Sequence, residues 1–214
     1  MLDTKLLISL STFVLILNSA LANPVWQSET VKVASPASGE IEVHKAIRSD
    51  SKITMLVLLG GPWRIDEVDA ETGLPKGSNF LLAMLPKVMS EQPVNIVVMK
   101  KPDAAGDIWN ASSRVTEKHQ LDLKVIFAEA ERLGKPVWLV GTSLGSISAM
   151  NLYFSDLKDR VSGIALSSSS ARDKLNSKPG VLTYKLEEVT VPVYLVGHEK
   201  DECFSSAPET LNMM

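Results

Sequence analysis

The residues best suited to chemistry lie in the stretch Gly141-Thr-Ser143-Leu144-Gly145, which has the pattern Gly-x-Ser-x-Gly. An apolar run, 136–140, precedes it, and apolar residues three and four positions apart follow it, so the sequence predicts a buried strand, a sharp turn and a helix. Side chains at Gly141 and Gly145 would clash where strand and helix pass closely. Ser143 would be strained, with its hydroxyl exposed, and the Leu144 amide would point to where an oxyanion forms. The pattern indicates a serine nucleophile; the alternative is a glycine-rich turn that only packs a helix on a sheet.

A second candidate loop, Gly60-Gly61-Pro62-Trp63, follows the continuous apolar run 53–59. Such a run is typical of a central strand that is buried on both faces, and glycines at its carboxyl end let the backbone approach a ligand closely. Gly61 or Trp63 could therefore supply a second oxyanion amide, whereas Pro62 has no N–H to donate. The alternative is an ordinary Gly-Pro turn.

The elements that would position these loops begin with a hairpin. Two alternating stretches, 29–34 and 40–47, are joined by a Pro- and Gly-containing turn and predict two antiparallel strands. The inward residues would be Val31, Val33, Ile41 and Val43, and the outward residues would be Lys32, Glu40, Glu42 and His44.

Strands and helices then alternate along the chain. We expect a helix capped by Ser78 and interrupted near Pro86, a strand at 94–99, and a long helix from Thr116 to Leu133 that ends at Gly134. Further strands are expected at 161–166 and 191–196, with a serine-rich rim loop after the first and a short excursion over the site at 174–190.

This order predicts an α/β fold, a mostly parallel sheet with helices on both faces and an antiparallel N-terminal hairpin. Ligands bind such sheets at the carboxyl ends of the strands. The oxyanion candidate Gly61, the nucleophile candidate Ser143 and Asp201, which follows the last predicted strand, would all lie at that edge.

Composition limits the function classes. The 214 residues suggest one domain, and a net charge of −3 implies no nucleic-acid partner. Cys203 is the only cysteine in the sequence, so the chain has no internal disulfide. No residue cluster has the spacing of a metal site, so we expect neither metal nor organic cofactor.

The first 22 residues have the pattern of a signal peptide. Lys5 lies before the apolar run Leu6–Leu17, and Ala20-Leu-Ala22 offers small residues for cleavage. We expect the remaining domain, 23–214, to begin at Asn23, to have no stable membrane span, and to be secreted or periplasmic. The alternative is an uncleaved transmembrane anchor.

These residues resemble the α/β-hydrolase superfamily over nearly the whole chain after residue 22. The motifs are GTSLG at 141–145, GGPW at 60–63 and VPVYLVGHEKDEC at 191–203. The resemblance implies that Ser143 is the nucleophile and Asp201 the acid, in the chain order nucleophile, acid, histidine. The last motif is also similar to a His-x-x-Asp-x-Cys pattern of some secreted or periplasmic hydrolases, matched by His198, Asp201 and Cys203.

The histidine departs from that pattern. In the superfamily it follows one more strand beyond the acid, whereas this sequence has only His44, His119 and His198. We therefore expect either a chain truncated before the catalytic histidine, an intact protein that kept the fold and lost catalysis, or a site completed by another chain. The expected function is hydrolysis of an ester or related acyl bond in a small molecule. The alternative is a catalytically inactive binding protein or a non-functional fragment.

Overall fold

A computed structural model describes residues 26–61, 67–77, 79–100, 110–171 and 179–214. The predicted signal peptide, 1–22, lies outside these ranges, as do Trp63 and Ser78. Within them, no helix is long and apolar enough to cross a membrane.

The elements follow the predicted alternation. In chain order they are β1 (Trp26–Ser35), β2 (Gly39–Arg48), β3 (Ile53–Leu58), β4 (Glu67–Val68), β5 (Pro75–Lys76), α1 (Phe80–Glu91), β6 (Val94–Met99), α2 (Glu117–Glu131), β7 (Val137–Thr142), α3 (Leu144–Tyr153), β8 (Val161–Ser167) and β9 (Val193–Val196). Short 3-10 turns lie at Ser113–Val115, Lys158–Arg160, Val181–Thr183, Leu186–Glu188 and Pro208–Met213.

The main sheet in the described part has the strand order β1-β2-β6-β3-β7-β8-β9. Strands β1 and β2 form the predicted antiparallel hairpin, and β2 pairs antiparallel with β6. The remaining pairs, from β6 to β9, are parallel. The mostly parallel sheet is thus confirmed, and the carboxyl ends of β3, β7, β8 and β9 meet at one edge.

Helices cover both faces of the sheet, as predicted. Helix α1 packs Leu82, Leu85 and Met89 on one face of the central strands. Helices α2 and α3 pack on the other face, where Phe127 and Leu152 are fully buried. Successive residues of β3 alternate between these two clusters, which explains why its sequence is a continuous apolar run.

The outward position predicted for His44 is wrong, because the second face of β2 is also covered. His44 is buried, and its Nδ1 lies 2.6 Å from Thr30 Oγ1 on β1. Ala46, two residues further along the same face, belongs to the core cluster beneath α1. Strand β2 thus contributes to the clusters on both faces of the sheet, so period-2 alternation there did not separate core from solvent.

The predictions for the first two helices differ in outcome. Helix α1 continues through Pro86 to Glu91 rather than ending near the proline, since buried side chains on both sides of Pro86 anchor it. Its cap is Asn79, whose side chain accepts a hydrogen bond from Leu81 N at 2.9 Å. The predicted cap of α2 is confirmed: Thr116 Oγ1 accepts from His119 N at 3.2 Å.

The described part of the segment after β8 packs against the sheet. Val181 is fully buried in the cluster on the α3 side, with Leu186 and Val189 against the same cluster. Val181 N donates to Ser170 O at 2.9 Å. Residues 179–190 therefore extend the core, with Val181 buried and Leu186 and Val189 partly buried. The predicted excursion over the site, 174–190, begins outside the described residues and stays a prediction.

Candidate active site

The turn between β7 and α3 holds Ser143 at φ 50° and ψ −124°. A positive φ is strained for a residue with a side chain. The flanking glycines explain how the turn forms: a Cβ on Gly145 would lie 1.9 Å from Leu58 O, and one on Gly141 would lie 2.7 Å from Gly145 O. The steric reason predicted for both glycines is therefore present in the fold.

The backbone of Ser143 is held by hydrogen bonds on both sides. Its N–H donates to Ser167 O at 3.1 Å, at the end of β8. Its carbonyl accepts from Ser146 N at 3.0 Å, from Ser146 Oγ at 2.6 Å and from Ser170 N at 3.3 Å. The serine-rich loop after β8 therefore helps to build the turn. Ser169 and Ser170 are buried, which was not expected for a serine-rich rim loop.

Gly60 and Gly61, here called the oxyanion loop after the role that the sequence predicts for Gly61, lie against this turn. A Cβ on Gly60 would come within 2.6 Å of Ser143 Cβ and 3.3 Å of Leu144 N, so only glycine fits. Gly61 follows at φ +60°, in the left-handed region. Gly60 thus lies against both Ser143 and the amide of the predicted donor Leu144, and the second predicted donor, Gly61, is the next residue. The alternative donor, Trp63, lies outside the described residues.

Asp201 follows β9 at the same edge of the sheet. Its Oδ1 accepts from Cys203 N at 3.0 Å and its Oδ2 from Ser206 Oγ at 2.9 Å. Its own N–H donates to His198 O at 3.0 Å. These bonds fix the carboxylate in a tight turn that leaves the Cys203 side chain exposed.

The three histidines occupy three separate environments. His44 is buried on β2, and burial lowers its pKa. His119 is buried on α2, where burial and the charge of Arg114 lower its pKa to about 3, so its ring is neutral at ordinary pH. His198 is exposed, and its Nδ1 accepts from Lys200 N at 3.1 Å.

A buried arginine lies beside the oxyanion loop. Arg114 is 1% exposed. Its Nη2 donates to Gly61 O at 3.2 Å and its Nη1 to Ser148 Oγ at 2.8 Å. His119 Nε2 lies 2.9 Å from the same hydroxyl. Burial lowers the pKa of Arg114 to about 9. No sequence signal marks this residue, because an arginine between polar loop residues is ordinarily exposed.

The described ranges contain no group of three or more His, Cys, Asp or Glu residues that could hold a metal ion. What the geometry offers is a strained serine at the start of a helix, two backbone amide candidates near it, and a carboxylate at the same sheet edge.

Comparison with known proteins identifies the fold. No family model matches the sequence, and no curated protein sequence matches it significantly. Among solved structures, an esterase of Pyrococcus furiosus, Pf2001, is similar with a TM-score of 0.60 and 13% identity, covering 88% of this chain and 75% of that one. XC6422 of Xanthomonas campestris, described as an α/β serine hydrolase without a lid, has a TM-score of 0.56 and 15% identity over 89% of this chain and 80% of its own.

A cold-adapted esterase from an Arctic intertidal metagenomic library is similar at a TM-score of 0.57 and 14% identity, covering 90% of this chain and 82% of that one. Together with the strand order and the β7–α3 turn, these similarities show that the chain has the α/β-hydrolase fold. At these identities the similarity concerns the fold, and function has to be argued from the site.

Proposed function

We propose that this protein is a serine hydrolase that cleaves an ester or related acyl bond of a small molecule. The observation that carries the proposal is the conformation of Ser143 at φ 50°. A non-glycine residue keeps such a conformation only where its surroundings enforce it, and strain of this kind clusters at active sites. Here the conformation is enforced by the close approach of strand and helix at Gly141 and Gly145, where a side chain would clash, and by the backbone hydrogen bonds of Ser143 with β8 and the loop after it.

The proposed chemistry begins with attack of Ser143 Oγ on the carbonyl carbon. The carbonyl electron pair moves to the oxygen, which accepts hydrogen bonds from the amides of Leu144 and Gly61. Collapse of the tetrahedral intermediate breaks the ester C–O bond and expels the alcohol, which takes up the proton removed from Ser143. Water then attacks the acyl-enzyme, which releases the acid and restores the Ser143 hydroxyl. The helix dipole of α3 favours the negative charge at this point.

The Ser143 proton needs an acceptor, and in this proposal Asp201 orients an imidazole for that role. His44 and His119 are buried in other contacts. His198 lies in the same turn as Asp201, but its Nδ1 already accepts from Lys200 N. Adding imidazole to the solution therefore tests directly whether the reaction of Ser143 is limited only by the lack of a proton acceptor.

A fluorophosphonate probe tests the nucleophile. We expect labelling of Ser143 that imidazole accelerates, and loss of labelling in Ser143→Ala. Ser168→Ala is the matched control, because Ser168 also has a positive φ, 41°, and follows the neighbouring strand; it should label like the wild type. Absence of labelling at Ser143 with and without imidazole would refute the proposal.

A second candidate is a binding protein that keeps the hydrolase fold without catalysis. It is favoured by the contacts of His44 and His119, which hold both imidazoles in the protein interior. It predicts that a short-chain acyl amide binds equally well to the wild type and to Ser143→Ala, without turnover. Ester hydrolysis that Ser143→Ala abolishes would contradict it.

We also propose that residues 1–22 direct export, so that the domain 23–214 acts outside the cytoplasm, secreted or in a periplasm. Support comes from the sequence: a charged start, a short apolar run and small residues before Asn23.

A further inference from the structure

The oxyanion loop needs something to fix it, because it consists of two consecutive glycines. Glycine has more accessible backbone conformations than any other residue, so an unrestrained Gly60–Gly61 pair would leave its amides free to turn away from Ser143. An oxyanion donor is effective only when it is preorganised, since displacement by about 1 Å can cost roughly a hundredfold in rate.

The carbonyl of Gly61 is bonded from the protein interior by Arg114, whose Nη2 donates to it at 3.2 Å. This bond restricts rotation about ψ of Gly61, while the contact of Gly60 with Ser143 restricts the preceding residue. The Gly61 N–H lies between these two constraints, one on the preceding residue and one on its own carbonyl, so the backbone is held on both sides of the proposed donor.

Arg114 is itself anchored on the elbow helix α3. Its Nη1 donates to Ser148 Oγ at 2.8 Å, and its backbone carbonyl accepts from Asn151 Nδ2 at 2.8 Å. Ser148 Oγ accepts the hydrogen bond from Arg114 Nη1, so its own O–H can donate to Nε2 of the neutral His119, 2.9 Å away. The planar guanidinium thus bridges α3, which begins just after Ser143, to the oxyanion loop after β3.

We propose that Arg114 is a positioning residue, whose fork couples α3 to Gly61 and so holds the oxyanion loop in place beside Ser143. Its catalytic consequence rests on the serine hydrolase function proposed above. The loop geometry that it enforces can be measured independently of that function.

The test uses Arg114→Ala with two readouts. The first is the rate of fluorophosphonate labelling of Ser143, which we expect to fall at least about tenfold. The second is the NMR order parameter of the Gly60 and Gly61 amides, which we expect to fall from about 0.85 to below about 0.6. Millimolar guanidinium should restore both by filling the site of the deleted side chain, and sodium chloride of equal ionic strength should restore neither.

Arg48→Ala is the matched control. Arg48 is also buried and also donates to a backbone carbonyl, that of Met89, but it lies on β2 away from the turn. Arg48→Ala should leave labelling and the order parameters of Gly60 and Gly61 unchanged; an equal loss in this variant would overturn the proposal by showing a general effect of destabilisation.

Arg114→Lys replaces Arg114→Ala if the latter does not fold, because lysine keeps the charge but cannot bridge two acceptors as a fork. We expect the same fall in both readouts, and wild-type values in this variant would overturn the proposal. If the wild type is not labelled at all, the proposed function fails, and the order parameters of Gly60 and Gly61 alone decide. Unchanged values in the Arg114 variant that folds reject the positioning role, and lowered values support it.

Discussion

Replacing Gly145 by alanine tests whether close approach of β3 and α3 builds the turn at Ser143. The added Cβ would lie 1.9 Å from Leu58 O and 2.7 Å from Leu58 C. Contacts under 3.0 Å essentially do not occur, so strand and helix would have to separate by roughly 1 Å. Leu58 ends a central strand that pairs with β6 and β7, so the strand cannot move without weakening the sheet.

The magnitude follows from two opposing contributions. Alanine in a helix is favoured over glycine by about 1 kcal/mol. Overpacking against a rigid backbone costs about 3 kcal/mol. We therefore expect Gly145→Ala to lower the free energy of unfolding by about 2 kcal/mol, and fluorophosphonate labelling of Ser143 to slow in the fraction that remains folded.

Urea unfolding followed by circular dichroism measures the change. The control is Gly134→Ala, where φ is +68° but nothing lies within 4 Å of the added Cβ, so only backbone strain contributes, about 1 kcal/mol. If Gly145→Ala were neutral or stabilising, helix propensity would dominate, and the close approach of Leu58 would not be what makes glycine necessary.

Three further predictions concern stability and processing. The pKa of His119 is lowered from 6.5 to about 3, so between these pH values the unfolded chain binds a proton that the folded chain does not. The free energy of unfolding should therefore fall as the pH decreases from 7 to 5. Urea unfolding should show that this fall is about 2 kcal/mol smaller in His119→Gln than in the wild type. His198 is exposed, and His198→Gln, the control, should show the same fall in unfolding free energy as the wild type. A wild-type fall in His119→Gln would contradict the conclusion that burial of His119 causes it. Glu129→Gln should lower the free energy of unfolding by about 2 kcal/mol, because Lys45, 2.8 Å away, is also buried and would keep only a partner that is half exposed, Glu29 at 3.2 Å. A change below about 1 kcal/mol would show that the Lys45–Glu129 pair is not needed. Mass spectrometry of the exported protein should find Asn23 at its amino terminus, and an intact residue 1 would favour the membrane-anchor alternative.

Much of the fold could be predicted because its signals are local. Continuous apolar runs marked β3, β6 and β7, and the capping residue Thr116 marked the start of α2. The fold class followed from their order. An error arose where a residue's surroundings came from distant parts of the chain: His44 is buried because the second face of β2 is also covered, with Thr30 of β1 beside its ring and Ala46 of the same face in the cluster beneath α1.

The candidate site divides in the same way. The sequence by itself determined the Gly-x-Ser-x-Gly turn, because the residues that allow a strand and a helix to approach this closely all lie within the five positions 141–145. It also determined that Gly60–Gly61 and Asp201 follow strands of one sheet. Only the tertiary structure decided that Arg114 is buried against Gly61 and that His119 is held neutral next to Ser148. Burial and the partners of a side chain depend on elements far apart in the chain, so no local pattern encodes them.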